Sequence, residues 1–189
     1  MNYTKIIAVS GASGAGKSTI VRQLAERFNS PFLLFDDYTS KDTYPDNMKV
    51  WLESGTNVDV ITTPDFVLAL QALMAKTNCR YIFIEEPFGR GRNTMSALVD
   101  YVVLLDQPLE LCLARVIKRH TKQADVNSLN FIANFLDKYQ DHMRDVYIAT
   151  VNQVRDNSDL IINEVASIKH ITDVISQWLK TIQTDKTLK

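Results

Sequence analysis

Eight residues limit this chain more than any others. Gly11-Ala12-Ser13-Gly14-Ala15-Gly16-Lys17-Ser18 fits the pattern G-x-x-x-x-G-K-[ST] without exception. The apolar run Ile6-Ile7-Ala8-Val9 precedes it, and a segment of helical period, about Lys17 to Phe28, follows. In that setting the glycines let the backbone wrap a polyphosphate, and the start of the helix adds partial positive charge. Lys17 then reaches the outer phosphates, and Ser18 offers a hydroxyl to Mg²⁺. A plain strand-to-helix turn needs neither the lysine nor the hydroxyl. Gly11 to Thr19 are therefore candidate nucleotide-phosphate ligands.

The rest of the chain repeats the alternation that this loop begins. Strand-length runs at Ile6–Val9, Phe32–Phe35, Tyr81–Ile84, Tyr101–Leu105 and Leu160–Ile162 are dense in Ile, Val, Leu and aromatics, as buried parallel strands are. Helical patterns lie between them. One starts at Pro64 with Phe66, Leu70, Leu73 and Met74 on a single stripe, and another covers about Ala166 to Ile182. The order predicts βαβ units. The expected fold is a three-layer α/β P-loop domain with a five-stranded parallel sheet over residues 1–183, followed by a polar tail, 184–189. Residues 37–63 are polar and turn-rich, with a short helix expected over Asn47–Glu53, and Lys118–Asn127 reads as a hydrophilic break between helices. Irregular segments after strands gather at the carboxyl edge of such sheets, where ligands bind.

Composition removes other classes. The 189 residues carry 21 Lys+Arg against 22 Asp+Glu, so the formal charge of −1 gives no global field to hold a nucleic acid or an anionic membrane. Hydrophobic residues at 46% and charged residues at 23% are ordinary for a globular protein. Cys79 and Cys112 lack CxxC or histidine spacing and read as reduced buried thiols of a cytoplasmic protein. No apolar run approaches membrane-span length and no signal peptide is evident, so the expected partner is a small molecule.

A phosphate loop alone suits kinases, GTPases and ATPases. The guanine-reading N-K-x-D is absent. The paired acids of Ile82-Phe83-Ile84-Glu85-Glu86 resemble the strand-end acids of ATP-driven machines, which keeps an ATPase or a nucleotide-binding regulatory module as the alternative. On the other side, Leu33-Leu34-Phe35-Asp36-Asp37-Tyr38 delivers carboxylates to the edge that carries the loop, where an acid can take a proton from a substrate hydroxyl.

The loop together with Asp36-Asp37-Tyr38-Thr39-Ser40-Lys41-Asp42 resembles the phosphate loop and D-x-[FY] segment of uridine kinase-like nucleoside kinases, including nicotinamide riboside kinases. Asn57-Val58-Asp59 with Asp65-Phe66, Phe83-Ile84-Glu85, Ala114 to Arg119, and Tyr139, Arg144 and Tyr147 follow in the order of that family's segments. The resemblance implies phosphoryl transfer from ATP with Mg²⁺ to a nucleoside-like hydroxyl. It implies Asp36 as general base, Ser18, Asp36 and Glu85 around the metal, and Asp59 on a sugar. Lys17, Arg115 and Arg119 would neutralise the phosphates, under a lid over about 118–127. Read by themselves, Trp51, Tyr38 and Phe88 are candidates for stacking on a base, or core residues. Arg90 and Arg92 read either as anion ligands or as solubilising loop charges.

Overall fold

A computed structural model describes residues 4–121 and 126–184. Five strands, β1 (Lys5–Ser10), β2 (Phe32–Leu33), β3 (Tyr81–Glu85), β4 (Tyr101–Leu105) and β5 (Leu160–Ile162), form one sheet in the order β2-β3-β1-β4-β5. All four pairings are parallel, with Ala8 beside Ile84 on one side and Val102 on the other. β1 therefore lies in the centre, and the loop that follows it opens at the middle of the carboxyl edge.

Alternation of side chains across β1 divides the core into two layers. Ile7 and Val9 pack with Ile20, Val21 and Leu24 of α1 (Lys17–Phe28) and with Ile171, Ile175 and Leu179 of α8 (Ile168–Thr184). Ile6 and Ala8 face the opposite way, onto Phe66 and Leu70 of α3 (Pro64–Lys76). The stripe anticipated on α3 is the one buried, with Leu73 and Met74 packed at its margin. A third, smaller cluster of Phe35, Trp51, Val58, Ile61, Phe88 and Val146 lies beyond the sheet edge. It brings Trp51 of α2 (Met48–Glu53) together with Val146, which lies in the helix over 144–155. Asn47 caps α2 by accepting from the N–H groups of Lys49 and Val50.

The structure corrects three expectations. β2 stops at Leu33, because the chain turns at Phe35–Tyr38 into a 3₁₀ turn closed by the Asp37 N–H on the Leu34 carbonyl at 3.3 Å. The predicted break at 118–127 is largely helix: α5 (Leu109–Thr121) continues through its first four residues, and α6 (Val126–Lys138) begins within it. Positions 122–125 of the expected lid, and 185–189 of the expected tail, lie outside the described residues. Cys79 is only half-buried, whereas Cys112 is buried, and both are free thiols. After α6 the helix passes without interruption through a π-helical turn, Tyr139–Met143, into α7 (Arg144–Arg155). Among the described residues no helix is long and apolar enough to cross a membrane.

Candidate active site

The loop after β1 is shaped by close contact. Gly14 has φ +85°, and a Cβ there would stand 2.2 Å from the Cys112 carbonyl oxygen of α5, so only glycine lets the loop lie against that helix. Gly16, at φ +102°, begins α1 without a side-chain cap, which leaves the helix's first N–H groups for an anion. Lys17 is 8% exposed. Its Nζ donates to the Ala12 carbonyl at 3.1 Å and lies 3.5 Å from Glu85 Oε1. Glu85 ends β3 and is buried, yet its Oε2 has no hydrogen-bond partner among the described residues.

Around these groups lies a cavity of about 450 Å³. Ser13, Lys17, Ser18 and Thr19 line its floor, while Arg115 and Arg119 approach from α5 and Ser167 and Ile168 from the start of α8. Arg115 donates to the Gly14 carbonyl at 3.4 Å, and neither arginine is paired with a carboxylate among the described residues. They stand four residues apart on one helix face, as their spacing implies. Ser18, Asp36 and Glu85 all line this cavity. One hydroxyl and two carboxylates are the hard oxygen donors that Mg²⁺ accepts, and the Glu85 Oε2 without a hydrogen-bond partner is one that could ligate such an ion.

A second cavity, of about 260 Å³, adjoins the first. Its walls include Tyr44, Met48, Trp51, Ile61, Phe88 and Tyr147, drawn from five separate stretches of chain. Ser13, Lys17 and Asp36 line both cavities and so stand where the two meet. Burial raises the Tyr147 phenol to about 12, against a lowering hydrogen bond from Ser13. Burial, and next the Asp36 carboxylate, push the Tyr44 phenol further up. Both phenols are neutral at physiological pH.

Asp36 occupies the expected place for a different reason than expected. Residues alternate by about half a turn on a strand but by about a third on a 3₁₀ helix. Asp36 and Asp37 lie on the latter; both are exposed, and Asp37 lines neither cavity.

Other anticipated residues are not brought to the site. Tyr38 packs edge-on against Phe66 at 5.5 Å and belongs to the α3 layer. Asp59 accepts from the backbone N–H of Asn93 at 2.6 Å and from its side-chain amide, which anchors α4 (Asn93–Ser96). Arg90 donates to the Val99 carbonyl at 3.2 Å and the Asn157 carbonyl at 2.7 Å, and pairs with Asp159 at 2.7 Å. It fastens its own loop to the one before β5. Of the loop residues, Gly11 and Ala12 line the second cavity rather than the first, and the Ala15 side chain is buried in the α1 layer.

Glu86 does not join Glu85 at the cavity, as a working strand-end acid pair would. It is fully buried, and Arg92, only 1% exposed, grips both its oxygens. Arg92 also donates to the Ile61 carbonyl at 3.1 Å and to Thr63 Oγ1 at 2.9 Å, and its guanidinium lies 5.3 Å from the Phe35 ring. Burial pushes the Glu86 carboxyl up and Arg92 opposes it. The second acid thus braces the wall of the second cavity, and Glu85 alone faces the first. Sequence reasoning gave no role to Tyr44, Met48, Ile61, Met143, Val146 or Thr150 in this wall. They are scattered from position 44 to position 150 and share no spacing.

Neither a protein-family model nor a curated protein matches the sequence. Solved structures do match the fold over almost the whole chain. A shikimate kinase from Acinetobacter baumannii in complex with shikimate aligns with a TM-score of 0.50 at 17% identity, over 98% of this chain and 96% of that one. TT1252 from Thermus thermophilus aligns at 0.52 and 18%, over 97% and 98%. An uncharacterized protein from Eubacterium ventriosum aligns at 0.52 and 18%, over 94% and 99%. The likeness does not single out the uridine kinase-like nucleoside kinases. What it shows is that this chain has the three-layer α/β fold of P-loop kinases, with the five-stranded parallel sheet that its sequence predicts.

Proposed function

We propose that this protein is a phosphotransferase that moves the γ-phosphoryl group of ATP to a hydroxyl of a small metabolite. The observation that carries this reading is the junction: the cavity over the glycine-rich loop and a separate, largely apolar cavity share Ser13, Lys17 and Asp36. A carboxylate at the mouth between donor and acceptor can take the proton from an attacking hydroxyl. Lys17, Arg115 and Arg119 supply charge to the transferring phosphoryl group, which requires positioning and neutralisation more than covalent help. Ser18, Glu85 and Asp36 are the residues that would hold Mg²⁺, whose chemistry here is to neutralise phosphate charge.

In the finer form of the proposal the acceptor is a nucleoside or a similar ring-bearing alcohol, lying against Trp51 and Phe88 with its hydroxyl toward Asp36. The paired acids that favoured an ATPase have another explanation in the bond between Glu86 and Arg92. ADP release from ATP, measured with and without a panel of nucleosides, vitamin precursors and nucleoside monophosphates, tests the proposal. Stimulation by one small alcohol is the expected result. Stimulation only by a protein or nucleic acid, or tight ATP binding without turnover, would overturn it.

A further inference from the structure

The charges around a cavity limit what it can admit. The apolar cavity presents Met48, Trp51, Ile61, Phe88 and two neutral phenols, while its formal charges, Lys17 and Asp36, lie together at the donor side. Two guanidiniums belong to the neighbouring loop, and neither is available. Arg90 is held by Asp159 and three carbonyls. Arg92 lies behind the wall itself, 5.9 Å from the Phe88 ring, and is neutralised by Glu86.

Polar groups are scarce here too. Trp51 Nε1 donates to the Asn57 carbonyl at 2.8 Å, and Thr150 Oγ1 donates back to the Val146 carbonyl at 2.9 Å. A carboxylate or phosphate ester entering this space would lose its hydration and, among the described residues, find no cation on the cavity lining beyond Lys17 at the junction, which Glu85 already approaches at 3.5 Å. We infer that the acceptor cavity selects an uncharged, ring-bearing alcohol and rejects anionic acceptors, because among the described residues no cation lines it beyond Lys17 at its donor end. The inference rests on reading the two cavities as donor and acceptor sites.

The chain has two tryptophans, so a Trp178→Phe variant leaves Trp51 as the sole indole and a reporter inside the cavity. With the donor cavity saturated by a Mg²⁺ complex of a non-hydrolysable ATP analogue, two matched pairs are titrated: uridine against uridine monophosphate, and benzyl alcohol against mandelate. The neutral member of each pair is expected to bind at least about tenfold more tightly, a difference of about 1.4 kcal/mol. An anion that binds as well as its neutral partner, or no response of Trp51 to either neutral compound, would overturn the inference while the kinase reading stands. Failure of the analogue itself to bind would overturn the kinase reading first. Thr150→Arg, which places a guanidinium on the same wall, should reverse the preference between uridine and its monophosphate. An unchanged preference in a folded variant would show that charge is not what decides.

Discussion

The two cavities share three side chains and are built by opposite means. The donor side draws most of its floor from one contiguous run, residues 13–19, held by a glycine pressed against the Cys112 carbonyl and by the uncapped start of α1. The acceptor side collects side chains from residue 44 to residue 150 around a buried aromatic cluster. The first depends on the conformation of one loop and on the cations beside it, Lys17, Arg115 and Arg119. The second depends on side chains from separate stretches, so on the proposed reading a wall position can change what is admitted without altering the loop.

Substitutions can break this contrast, beginning with the largest effect. Asp36→Asn removes the carboxylate at the junction and should lower kcat by about 10²–10⁴, with ATP affinity little changed. Asp37→Asn, facing neither cavity, should cost far less. Steady-state kinetics at saturating Mg²⁺ compares them, and a larger loss for Asp37→Asn would overturn the assignment of the base. Arg92→Met leaves Glu86 as an unpaired buried carboxylate and should cost about 3–5 kcal/mol of stability in urea unfolding. The folded fraction should keep its ATP affinity, because Arg92 touches only the acceptor wall.

Lys17→Ala acts at the shared point and should weaken ATP binding by about 1.5–3 kcal/mol, as loss of a charge-assisted hydrogen bond does, and slow turnover as well. Calorimetric titration with ATP checks it; parent-like affinity would place the phosphates elsewhere. The smallest effect is expected of Lys49→Ala. Its pair with Asp141 links α2 to the π-helical turn at 2.9 Å, but both side chains are about half exposed and the pair is screened by water. Unfolding curves of variant and parent should superimpose.

What could be read from the sequence follows the same division. The phosphate loop, α1, β4 and β5 were legible to the residue, because contiguous chemistry and contiguous apolar runs carry their own signals. β2 was overextended because Phe35 is as apolar as a strand residue, although it serves the cluster around Arg92 instead. Residues 118–121 are polar because they continue an amphipathic surface helix, and polarity alone resembles a break. Arg90 and Asp59 were misplaced for a deeper reason. A charged loop residue has the same appearance whether it meets a ligand or a partner far along the chain, and their partners are Asp159 and Asn93. Tyr44 and Met143 had no signal, since only the folded path brings them together.

The π-helical turn sets a phase. From residue 126 to residue 155 the chain is one rod, and Tyr139–Met143 within it take up an extra residue relative to α-helical winding. Phe131 and Phe135 upstream of the turn and Tyr139 at its start form an aromatic row whose last ring stands 6.2 Å from Tyr147, in the wall of the apolar cavity. Because an α-helix advances about 100° per residue, removing one residue from the turn would rotate the whole row away from the cavity while leaving both helices intact. The rod works like two geared shafts joined at a key, and the meeting of Tyr139 with Tyr147 depends on a single residue of chain length.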